Sequence, residues 1–212
     1  MSWKFRHPCT ILVSGPTGSG KTKFVERVLV QHKFSVEHNR IFWVYSEWQP
    51  AYDNLQRVRP DIVFKKGLGD ENEFYNSLSN LNNNLVILDD QMSAVGNSKT
   101  LSRLFTEGSH HRNLSIIYIV QNLFDKGRSH RTVSLNAQYF VLFKNPRDKS
   151  QIDVIARQMY PGKGKFLRDA FVDATKNPFS YLLIDMHPRT PESERVLSNI
   201  FAGETPTVYQ PE

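Results

Sequence analysis

Residues 15–22 read Gly-Pro-Thr-Gly-Ser-Gly-Lys-Thr, a complete match to the pattern G-x-x-x-x-G-K-[ST]. Each residue type has a use if the ligand is a phosphate chain. Gly15, Gly18 and Gly20 let the backbone curl until its N–H groups point inward at a β-phosphate, and Pro16, Thr17 and Ser19 complete the loop. A helix starting at Lys21 would turn its positive end to the same anion. Lys21 is placed to reach the β- and γ-phosphates, and the Thr22 hydroxyl to complete a Mg²⁺ shell. The competing reading is a glycine-rich turn with no ligand.

Three further groups stand at points where such chemistry needs them. Asp89 and Asp90 follow the apolar run 85–88 (LVIL). A carboxylate at the tip of a buried strand suits a Mg²⁺ partner, which is Asp89, and its neighbour Asp90 can act as general base on water. The alternatives are a helix cap near Ser93 for Asp89 and an exposed bystander for Asp90. Gln121 ends the run 114–120 (LSIIYIV). Its amide could bond both a γ-phosphate and the lytic water, with ordinary turn chemistry as the alternative. Arg112 precedes that run, at the far end from Gln121, so it could serve a neighbouring subunit's nucleotide as an arginine finger or simply form a surface salt bridge. His110 and His111 are poorly spaced for one metal and read as packing groups.

The elements that must position these groups alternate along the whole chain. Strand-like segments are 10–14, 41–46, 61–64, 85–88, 114–120, 138–143 and 181–184. Helix-like segments are 22–30, 72–81, 98–107, 150–159 and 166–175, and 124–137 reads as loop. Fully apolar strands alternating with helices imply an α/β fold, a mostly parallel central sheet with helices on both faces. Ligands of such sheets bind at the carboxyl ends of the strands, where the loop 15–20, Asp89 and Gln121 all fall.

Composition sets the outer limits. The 212 residues carry a formal net charge of +6, distributed as +4 over 1–50, −2 over 51–100, +7 over 101–176 and −3 over 177–212. The basic stretch, with Lys126, Arg128 and Arg131 in its presumed loop, is either a nucleic-acid track or a solvated face. Trp43, Tyr45 and Trp48 could stack on bases, though aromatic strand residues usually enter a core. One cysteine allows no internal disulfide, which suits a reducing compartment. No apolar run follows the basic residues of 1–7 and none is long enough for a bilayer, so neither a secretory signal nor a membrane partner is expected.

Taken in order, GPTGSGKT, FWVYSEWQPAYDNL, VILDDQM, SHHRNLSIIYIVQNLFDKG, SHRTVSLNAQYFVLFKNPRDKSQI and QMYPG resemble the DNA-packaging ATPases of the FtsK/HerA superfamily. The poxvirus-type enzymes and those of Polinton (Maverick) elements and adintoviruses look most similar. The resemblance spans roughly residues 8–203, and SHHRNLSIIYIVQN is its most specific block. It implies a three-layer, RecA-like fold with an additional strand, in one ATPase domain over 1–203 followed by a flexible tail over 204–212. It further implies ATP and Mg²⁺ as cofactors and a homo-oligomeric ring, a pentamer or hexamer, that translocates double-stranded DNA. Capsid or portal-like vertex proteins would be partners, at virion assembly sites in the host nucleus or cytoplasm. Lys21 and Thr22 would hold nucleotide and metal, Asp89 and Asp90 would be the acidic pair, Gln121 the sensor and Arg112 the trans arginine. Two other readings fit the loop: a nucleoside-monophosphate kinase, and a nucleic-acid-binding scaffold that does not hydrolyse.

Overall fold

The computed structural model describes residues 3–89, 103–108, 112–124 and 128–211. Its strands are β1 (Thr10–Ser14), β2 (Arg40–Tyr45), β3 (Ile62–Lys66), β4 (Asn84–Asp89), β5 (Leu114–Val120), β6 (Tyr139–Phe143), β7 (Tyr181–Asp185), β8 (Val196–Ser198) and β9 (Thr207–Tyr209). The helices are α1 (Lys21–Val30), α2 (Pro50–Val58), α3 (Glu71–Ser77), α4 (Arg128–Asn136), α5 (Ser150–Met159) and α6 (Gly164–Ala174). A π-helical turn covers Leu104–Gly108.

The strands form one sheet in the order β3-β2-β4-β5-β1-β6-β7-β8-β9. From β3 to β6 the pairing is parallel, and β7, β8 and β9 add on antiparallel. The strand that separates β1 from β4 is β5, which is the additional strand expected above. Every residue of β1, β4 and β5 is buried, as their unbroken apolar runs require of strands covered on both faces. Alternate residues sort between two cores. Leu12, Val86, Leu88 and Tyr118 pack with Phe74 of α3, Ile152 of α5 and Leu167 of α6. Val13, Ile87 and Ile119 pack with Val25 and Val28 of α1 and with Tyr52 and Leu55 of α2. These are the three expected layers.

The structure departs from the sequence expectations locally. The helix expected over 72–81 ends at Ser77, where Leu78 turns extended. Helix α2 went unassigned; Pro50 sits at its first turn, where a fixed φ and a missing N–H cost nothing. Residues 128–136, read as part of a loop, are the helix α4. The segment 98–107 was read as an α-helix; its described end, from Leu104, is π-helical, and 98–102 lie outside the described residues. The segment 204–212, read as a flexible tail, contains β9, which pairs Thr207 with Ser198. Tyr209 there donates its hydroxyl to Asp173 Oδ2 at 2.8 Å.

At the amino ends of the strands the chain's first segment is strapped down. Phe5 exchanges backbone bonds of 2.8 Å with Lys33 and Ser35. Beside it, His7 shares hydrogen bonds with Ser115 Oγ (2.7 Å), Asn113 Oδ1 (3.0 Å) and His38 Nε2 (3.2 Å). Burial, reinforced by the charges of His7 and Arg59, pushes His38 down to about 3, and burial also lowers His7. An imidazole in the unfolded chain titrates near 6.5. Between about 6.5 and about 3 the unfolded state therefore binds protons that the folded state refuses, and stability falls as pH falls through that window. The melting temperature is expected to drop between pH 7 and pH 5, and His38→Gln should shrink that drop. An identical pH slope in the variant would remove His38 from the account.

Candidate nucleotide site

Register builds the site. Ser14 lies opposite Val120, and Asp89 opposite Ile119. Loop 15–20, Asp89 and Gln121 therefore emerge side by side on the carboxyl edge of the sheet. The loop needs its glycines. Gly18 and Gly20 take φ values of 77° and 104°, in the left-handed region that side chains resist. A β-carbon on Gly15 would stand 2.6 Å from Cβ of Phe143. Helix α1 starts directly behind Gly20 with no side-chain cap and no acidic residue in its first turn. Its uncapped N–H groups and its positive end are thus left for an anion. The loop's Ser19 Oγ is buried and has no hydrogen-bond partner among the described residues. These features fit a phosphate chain.

Lys21, Thr22, Asp89 and Gln121 line one pocket of about 130 Å³, together with Thr17, Gly18 and Gln49. Lys21 Nζ donates to the carbonyls of Gly15 (2.6 Å) and Pro16 (2.9 Å), folded back onto its own loop. Thr22 Oγ1 donates to Asp89 Oδ2 at 3.5 Å. A hydroxyl beside a single carboxylate is a hard-oxygen donor set of the type Mg²⁺ uses when it shares its shell with substrate phosphates. Asp89 is buried, so its charge needs donors. The Tyr52 hydroxyl supplies one, 2.8 Å from the same Oδ2.

Sequence reasoning missed Tyr52 and Gln49. Tyr52 points from α2 into an aromatic box, with ring centroids 5.3 Å from Trp43, 5.8 Å from Tyr45, 5.4 Å from Trp48 and 5.6 Å from Phe64. Trp43 is fully buried in the core, so it offers no face to a base, while Trp48 is 42% exposed and donates Nε1 to Asp53. A signal for α2 did exist: Pro50 followed by Tyr52 and Leu55 at helical spacing. That the tyrosine meets Asp89 was not visible.

Gln121 is exposed at the pocket mouth. The turn behind it is pinned. Asn122 donates to Asp148 Oδ2 (3.3 Å) and accepts from the Phe124 N–H (3.0 Å). Gln151 Oε1 accepts from Ser14 Oγ and the Leu123 N–H. The Ser150 hydroxyl, with Gln151 and Asn122, holds the Asp148 carboxyl below the usual range. Arg112 lies elsewhere, two residues before β5, whose length alone separates Leu114 from Gln121 by about 23 Å at normal strand rise. Its guanidinium donates to the Leu78 carbonyl (3.2 Å) and lies 5.1 Å from the Tyr75 ring centroid. It is thus held by a carbonyl and a ring face. Asp90, His110 and His111 lie outside the described residues, as do Lys126 and the side chains of Arg128 and Arg131.

No protein-family model and no curated protein matches the sequence. Several solved structures share the fold. The genome-packaging NTPase B204 from Sulfolobus turreted icosahedral virus 2, in complex with AMPPCP, superposes with a TM-score of 0.59 at 13% identity, over 96% of this chain and 97% of that one. B204, the DNA-packaging ATPase from Sulfolobus turreted icosahedral virus, gives 0.57 at 10% identity, over 96% and 98%. ATPases 2 and 3 of EssC from Geobacillus thermodenitrificans give 0.57 at 13%, over 96% of this chain but 40% of theirs. The chain therefore has the α/β fold of P-loop NTPases.

Tyr52→Phe keeps the ring in its box and removes one donor from Asp89. Hydrogen bonds to charged groups contribute about 1.5–3 kcal/mol. The Mg²⁺ concentration that half-saturates nucleotide binding should rise roughly tenfold or more, and the melting temperature should fall by several degrees because a buried carboxylate loses a donor. Titration of Mg²⁺ at fixed nucleotide checks this; an unshifted midpoint would show that Tyr52 does not orient Asp89.

Proposed function

We propose that this chain is the ATP-hydrolysing subunit of a ring-shaped motor that drives double-stranded DNA into a capsid. The observation that carries the reading is the convergence of Lys21, Thr22, Asp89 and Gln121 on one small pocket. Gln121 beside Asp89 at that pocket favours hydrolysis over the kinase reading, because its amide can hold a water there. Near-complete coverage of the B204 chains, against 40% of EssC, supports packaging as the task.

In this mechanism the N–H groups of loop 15–20 and of the first turn of α1 bind the phosphates. Lys21 exchanges the Gly15 and Pro16 carbonyls for β- and γ-phosphate oxygens. Thr22 and Asp89 would hold Mg²⁺, which would supply positive charge against the phosphates. Gln121 orients water through its amide, and Asp90 takes the water's proton. The water oxygen bonds to the γ-phosphorus as the bond to the ADP oxygen breaks. Arg112, on the opposite edge of its own sheet, serves the site of the next subunit in the ring. The basic stretch 101–176 contacts the DNA backbone, and vertex proteins of the capsid seat the ring at assembly sites inside the host cell.

Asp90→Asn should bind ATP and not hydrolyse it. Arg112→Ala should lose about 10³-fold or more in turnover while binding ATP through its own loop. Mixed together, the two inactive proteins should regain partial ATPase activity, because some interfaces then join an intact Asp90 to an intact Arg112. Mixed rings that stay inactive would overturn the trans assignment. DNA binding should weaken linearly on a log–log plot against salt, as counterion release requires. A salt-insensitive affinity would remove DNA as the cargo.

A further inference from the structure

The phosphate loop has a second cavity on its other side, of about 450 Å³, which no step above uses. It lies toward β6 and β7, and its lining includes Pro16, Ser19, Phe143, Pro146, Pro178 and Phe179. Thr17 and Gly18 border both this cavity and the small pocket of Asp89 and Gln121. A ligand that placed its terminal phosphate in the small pocket could run over Thr17 and Gly18 and enter the large one. Its volume falls within the range of sites that enclose drug-sized molecules.

Phe179 is the unusual residue there. Its ring is 70% exposed, so it does not belong to a core. Its φ is +64°, in the left-handed region where a bulky residue is a genuine outlier. Such a conformation costs on the order of 1–3 kcal/mol and persists where the surroundings enforce it. The conformation belongs to a tight turn, in which the Ser180 N–H donates to the Asn177 carbonyl at 3.3 Å across Pro178 and Phe179. That turn sets Phe179 against the phosphate loop, where a β-carbon on Gly20 would sit 3.2 Å from the Phe179 Cδ1. The absence of a side chain at Gly20 therefore lets the Phe179 side chain lie against the loop. Prolines 146 and 178 give the cavity rigid apolar walls, and the orphaned Ser19 Oγ borders it. The hydroxyls of Thr175 and Ser180 already donate to the carbonyls of Phe171 and Asn177.

We propose that this cavity is the nucleobase pocket of the site, with Phe179 as the platform on which a purine stacks. The proposal rests on the nucleotide reading above and adds the base to it. Lys144, Lys176 and Asn177 line the cavity beside the prolines and Phe143, while the ring of Phe179 holds a base by its π surface, which every purine has.

The test compares MgATP with magnesium tripolyphosphate, which carries the phosphates and no base, by calorimetric titration. In Phe179→Ala, MgATP and MgGTP should bind at least fivefold more weakly, and tripolyphosphate should bind within twofold of wild type. Retained tripolyphosphate binding also shows that the variant is folded. Phe179→Trp should restore MgATP affinity, and its indole fluorescence should change with MgATP but not with tripolyphosphate. Equal weakening of both ligands in Phe179→Ala would mean that the ring only braces the loop and would overturn the pocket. An unchanged MgATP affinity would overturn it as well. Wild-type protein that binds neither ligand would instead sink the nucleotide reading on which the pocket stands.

Discussion

Main-chain hydrogen bonds run from β5 to β1 on one side and to β4 on the other. Pairing Ser14 with Val120, and Asp89 with Ile119, leaves little freedom in where three chain segments emerge. A slip of one residue in β5 would move Ile117 and Ile119 out of one core and Ile116 and Tyr118 out of the other. Because both faces are packed, each core penalises that slip. Hydrophobic burial in the layers thus fixes the positions of Lys21, Asp89 and Gln121, although none of the three belongs to either core.

The charged part of the site depends on the same packing. Asp89 is a buried carboxylate, and uncompensated it would cost several kcal/mol. Its donors come from two helices, Thr22 on α1 and Tyr52 on α2, which share one face of the sheet. On the other face, Gln151 of α5 ties Ser14 to Leu123, so the ends of β1 and β5 are clasped by one side chain. The carboxyl edge of the sheet is thus held by side chains from both of its faces.

The two edges of the sheet differ in chemistry. The carboxyl edge gathers glycines, a lysine, a hydroxyl and a carboxylate around cavities. The amino edge holds His7 and His38 in a hydrogen-bonded cluster near Asn113, with Arg112 bonded beside it to Leu78. Burial holds the pKa values of both imidazoles below the ordinary histidine value. An arginine presented on that edge faces away from its own phosphate loop. In the proposed ring this polarity lets one subunit complete the next.

Local sequence determined a good deal. The runs TILVS, LVIL and LSIIYIV were legible as doubly covered strands because a strand buried on both faces is apolar nearly throughout, and Thr10, Ser14 and Ser115 find partners inside. The loop 15–22 was legible because left-handed backbone and inward N–H groups demand glycine at fixed spacing. Asp89 and Gln121 could be picked out because strand ends mark the sheet's carboxyl edge. The short strands β8 and β9 escaped notice, since three residues give too short an alternation to recognise. Only tertiary structure decided that Tyr52 meets Asp89, 37 residues away, and that Phe179 lies against Gly20. Strand pairing and layer packing bring those partners together. Such contacts leave no period or motif in the chain, because they depend on where whole elements dock and not on the spacing of neighbours.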